Sequence, residues 1–92
     1  MLSPDENGNG ANPDVIALQA LAWILGEEAR AERLLSLTGL DADQLRARAD
    51  DPVLWQAALD FLAAHEPDLI ACADTLGLSP DRLMAIGREI GR

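Results

Sequence analysis

The chain has 92 residues, enough for one domain with a modest core, and 49% hydrophobic against only 3% aromatic residues points to a core of Leu, Ala, Ile and Val and hence to helices. Sixteen acids against seven bases, all arginine, leave a formal charge of -9, which repels phosphate backbones and anionic membranes and argues against a nucleic-acid partner. The longest nearly apolar run, Val15 to Leu25, is about eleven residues, well short of the roughly 20 that span a bilayer.

In chain order, the first segment, residues 1–11, is polar and rich in Asn and Gly, so it reads as a flexible tail ahead of a single helical domain over residues 12–92. It lacks the basic and apolar regions of a secretory leader. With Cys72 the lone cysteine, the expected location is the reducing cytoplasm. Within this segment Asp5 to Gly10 matches the first half of a calcium loop, but Ile16 stands where a bidentate glutamate is needed, so the tail reading is preferred.

Asn12, Pro13 and Asp14 supply a cap, a first-turn proline and a dipole-matching acid for a helix that runs to about Leu25 and ends at Gly26. Glu27 and Glu28 open a second helix, which the Leu34, Leu35 and Leu37 cluster closes before Gly39. Asp41 and Gln44 form a capping-box pair for a short third helix to about Ala49. Asp51 and Pro52 start a fourth, amphipathic helix ending near His65. A fifth begins at Pro67 and stops before Gly77, and Ser79, Pro80 and Asp81 start a sixth that ends by Gly91. The fold expected is all-α, a compact bundle of five or six short helices.

Thr38 to Ala47 falls on Leu76 to Ala85 when shifted by about 38 residues, and about nine identities extend across the two halves. This suggests two pseudo-repeats sharing one core, with the first helix, apolar on nearly every side, either central or a contact between copies. Leu35, Gly39 and Leu45, and again Ala73, Gly77 and Leu83, have the spacing of a helix-turn-helix corner. Arg46, Arg48, Arg82 and Arg88 are the DNA contacts such corners would offer, diluted by Asp43, Asp50, Asp51, Asp81 and Glu89, so a structural corner is the preferred reading.

No paired His or Cys set exists for zinc within one chain, because His65 and Cys72 are each the only residue of their kind. Cys72 falls on an apolar face and is expected in the core. His65 is expected at the end of the fourth helix, where a partial positive charge suits the dipole. The acids Asp41, Asp43, Asp50 and Asp51 read as caps and solvated flanks rather than a metal or phosphoryl site. Without a phosphate loop or a nucleophile in context, neither a cofactor nor an enzymatic activity is expected.

The segments "ALQALAWIL", "LLSLTGLDADQLRARADDP", "LDFLAAHEPDLIACAD" and "LGLSP" resemble a family of short alphaproteobacterial proteins classed as a domain of unknown function, over about Asn12 to Leu83. The resemblance implies a small helical bacterial protein and carries no catalytic residue or cofactor. The functional expectation is a non-enzymatic module that binds a protein partner or itself, with Trp55 and Trp23 as candidate anchors. On that expectation Trp55→Ala weakens association without unfolding the chain. The alternative is a DNA-associated regulator using the Leu35–Leu45 or Ala73–Leu83 corner.

Overall fold

The computed structural model describes residues 12–90. The tail over residues 1–11, its calcium-like loop and the end of the chain at Gly91 lie outside the described residues.

Among the described residues six helices follow one another: α1 (Pro13–Leu25), α2 (Glu28–Thr38), α3 (Ala42–Ala47), α4 (Pro52–Ala63), α5 (Glu66–Leu76) and α6 (Pro80–Gly87). Their starts follow the local chemistry. Asn12 Oδ1 accepts from the Asp14 amide at 2.9 Å, Asp51 from that of Val53 at 2.9 Å, and Ser79 from that of Arg82 at 3.0 Å. Asp41 and Gln44 close a reciprocal capping box. Each cap satisfies an amide that has no partner inside its helix.

Three boundaries differ from the sequence reading. The third helix stops at Ala47, because Arg48 leaves helical geometry and its amide turns back to Gln44 and Leu45 while its carbonyl accepts from Asp51. The fourth stops at Ala63 rather than near His65. The fifth begins one residue early, at Glu66, so the chain breaks at His65 (φ -132°, ψ 83°) and Pro67 sits in the first turn, where its missing amide costs no intrahelical bond.

α1 packs against α2, α4, α5 and α6, and α4 packs against α1, α2, α5 and α6. Each first helix of a half therefore touches the other first helix and both second helices. The central position expected for α1 is borne out, and α4 shares it. α6 completes the assembly against α1, α4 and α5, while α3 contributes a single buried residue, Leu45.

The repeat is clearer in burial than in identity. A displacement of 38 residues takes Leu25 to Ala63, Glu28–Thr38 onto Glu66–Leu76, and Ala42 to Pro80. It also takes Ile16, Ala17, Ala20, Leu21, Ile24, Leu34 and Leu45, the buried residues of the first half, onto Leu54, Trp55, Ala58, Leu59, Leu62, Cys72 and Leu83, all buried. Large and small residues trade places across the halves, as Ala17 with Trp55 and Leu34 with Cys72 show, so one core is filled jointly. Gly39 and Gly77 adopt φ of 76° and 75°, the left-handed region that ends a helix.

Candidate interaction surface

The inner side of α1 buries Ile16, Ala17, Ala20, Leu21 and Ile24. Its outer side carries Val15, Leu18, Ala22 and Leu25, spaced three, four and three residues apart, which places them in one stripe along the helix. Val15 is 52% exposed, Leu18 41% and Leu25 36%. Beside the stripe a shallow depression of about 350 Å³ is bordered by Asp14, Val15, Leu18, Gln19 and Ala22, with Trp55 contributing from α4. Asp14 is the one charged residue of α1. The surface is thus apolar with a carboxylate at one end, suited to contact rather than to proton or group transfer.

The repeat provides an internal comparison. Displaced by 38 residues, Val15, Leu18, Ala22 and Leu25 become Val53, Gln56, Asp60 and Ala63, all exposed on α4. An equivalent position in the same fold therefore tolerates Gln and Asp, and packing within the monomer does not call for Leu18 or Leu25 on the outer face.

Trp55 does not stand out from the surface as an anchor. It is 6% exposed, and its Nε1 donates to the Ala49 carbonyl oxygen at 2.6 Å. Its burial runs against the expectation of Trp55 as an exposed anchor whose replacement by alanine weakens association without unfolding the chain. Trp23 is half-buried, and the Arg30 guanidinium lies 3.7 Å over its ring while donating to the Trp23 carbonyl oxygen at 2.7 Å. Glu27 holds the same guanidinium at 3.4 Å, so the indole face under Arg30 is not simply offered to a partner.

A wider groove of about 710 Å³ runs between α2 and the end of α4, where Leu37 is 63% exposed. Of its polar lining residues, Arg33 and His65 are already engaged, while Glu32 and Ser36 also border it. Arg33 pairs with Asp68 at 3.1 Å and lies 5.9 Å from the Phe61 ring centre, and His65 stacks on Phe61 with centroids 4.7 Å apart. With its proton on Nδ1, His65 donates to the Phe61 carbonyl oxygen at 2.9 Å, which sets its ring against the last turn of α4 from just beyond the helix end.

The four arginines of the DNA reading divide between α3 and its end (Arg46, Arg48) and α6 and its end (Arg82, Arg88). Arg46 pairs with Asp43 at 3.5 Å and Arg82 with Glu89 at 3.9 Å. Cys72 is fully buried, and burial pushes its thiol up to about 11, against a lowering by Arg30 and with a further rise from Asp68. Among the described residues no three His, Cys, Asp or Glu side chains gather as metal ligands, and no helix is long and apolar enough to cross a membrane.

Sequence reasoning saw that α1 is apolar all round and offered its excess apolar surface as a contact between copies, but placed the anchors at Trp55 and Trp23. The signal for the stripe was the polarity difference between α1 and α4 at equivalent positions, readable only once the repeat is in register. No curated protein and no solved structure matches the chain. A family model described as protein of unknown function (DUF3572) matches residues 10–91, and the chain belongs to that family.

Proposed function

We propose that this DUF3572 member is a non-enzymatic protein-interaction module of the cytoplasm, and that it presents the outer stripe of α1 to a protein partner. The observation that carries this reading is the contrast between Leu18 and Leu25 on α1 and their equivalents Gln56 and Ala63 on α4. Leucines left 41% and 36% exposed at positions where the fold accepts polar or small residues keep apolar surface that gains from being covered. Trp55, held by its bond to Ala49, serves as a fixed wall of the adjoining depression rather than as a plug.

The test copies α4 onto α1. The variant L18Q/L25A should retain its helical circular dichroism and lose no more than about 2 kcal/mol of stability, because both leucines are substantially exposed. Tagged wild type and variant are used to capture partners from the native cytoplasm, each with and without nuclease. A stoichiometric protein retained by wild type, resistant to nuclease and lost with the variant supports the reading. Equal recovery by both forms, or recovery that nuclease abolishes, refutes it, and the latter favours the DNA-associated alternative.

A further inference from the structure

Resting on that reading, we infer that the occupant of the α1 stripe is an amphipathic α-helix from a different protein, with its apolar seam bordered by Lys or Arg. Val15 to Leu25 spans eleven residues of helix, whose steps add up to a rise of about 15 Å, and the spacing of three, four and three residues is the register a second helix meets ridge against groove. The open depression beside it gives a side chain of that helix a place to seat.

Charge selects the partner. Asp14 lies at one end of the stripe and Glu27 and Glu28 lie just beyond the other, while α1 itself has no basic residue. The nearest base in sequence, Arg30, is committed to the Trp23 carbonyl and to Glu27, and its side chain is 15% exposed. A second copy of this chain meets the stripe poorly in either direction. Antiparallel, Asp14 of each copy approaches Glu27 and Glu28 of the other; parallel, each acid approaches its own counterpart. Two bodies of charge -9 also repel one another before contact. A helix bordered by Lys or Arg reverses every one of these terms, which raises its encounter rate.

The experiment uses the full chain and two synthetic helical peptides with one apolar seam, flanked by Lys in one and by Glu in the other. Binding is read by fluorescence anisotropy at low and physiological salt, and self-association by sedimentation. The expected result is a monomeric protein that binds the Lys-flanked peptide at least about tenfold more tightly than the Glu-flanked one, with the gap narrowing as salt rises. D14N should reduce the preference, and L18Q/L25A should abolish binding of both. Equal binding of the two peptides, or binding of neither, overturns the inference. Wild type sedimenting as a dimer that L18Q/L25A dissolves also overturns it, by assigning the stripe to a second copy. Those results leave the interaction reading standing if capture still depends on the stripe; capture indifferent to L18Q/L25A removes both.

Discussion

Replacing Gly39 and Gly77 by alanine, singly and together, isolates the conformational cost of the two helix corners. Both residues have φ near +75°, and a Cβ added at either meets no atom within 4 Å. The loss therefore contains no steric clash with the surrounding structure. Holding an L residue in the left-handed region costs about 1–2 kcal/mol, and the restriction alanine places on the unfolded chain returns about 0.4–1 kcal/mol. A net loss of about 1 kcal/mol is expected at each site, or a fall in melting temperature of about 4–8 °C for a domain of this size. The capping bonds should survive, since Gly39 donates to Leu35 at 2.8 Å and Leu78 to Ala73 at 2.8 Å through backbone amides alone. The two corners share no partner, so the double variant should lose about 2 kcal/mol. Urea and thermal unfolding followed by helical circular dichroism measure all three. A loss above about 3 kcal/mol at either corner, or single losses that differ by more than about 1 kcal/mol, refutes the reasoning, because it would mean that one corner carries contacts the other lacks.

Trp55→Phe should cost about 1–3 kcal/mol by leaving the Ala49 carbonyl without its donor, and Trp55→Ala about 3–5 kcal/mol by opening a cavity as well; equal urea midpoints for wild type and the alanine variant would contradict the buried geometry. Because the thiol of Cys72 is raised from 9.0 to about 11, the unfolded chain ionises before the folded one. Stability is then whole below pH 9 and falls through about pH 11, by an amount on the order of 2 kcal/mol. With no lysine or tyrosine in the chain, urea midpoints between pH 8 and 11 should isolate that slope, and Cys72→Ala should remove it; a variant as steep as wild type refutes the assignment. Arg30→Lys keeps the charge but loses the planar contact with Trp23, at a cost of about 1–2 kcal/mol readable by thermal unfolding.

Most of the helix plan was legible because it rests on local chemistry. Asn12, Asp41, Asp51 and Ser79 cap the helices they precede, and Gly39 and Gly77 end theirs. The burial of Trp55 was not legible locally. Its neighbour Gln56 is exposed as expected, but the indole fills a core position whose equivalent in the other half holds only Ala17, a difference in volume between residues far apart in sequence. The start of the fifth helix was misread by one residue for a local reason, since Pro67 restrains Glu66 without forbidding a helical first turn. The site was half legible. An all-apolar α1 is plain in the sequence, whereas which of its sides stays open depends on α4, α5 and α6 closing over the other.

The matching burial of the two halves has a consequence for how such a protein changes over time. A chain whose halves share a core in this way has the plan of a symmetric dimer with its two subunits joined in tandem. In an unjoined dimer every substitution appears twice, so an outer face cannot become sticky on one subunit and stay soluble on the other. Tandem linkage through the exposed stretch around Arg48 and Asp50 lifts that constraint. Gln56 and Asp60 can keep the outer face of α4 inert while Leu18 and Leu25 specialise on that of α1, and one shared core holds the two halves together.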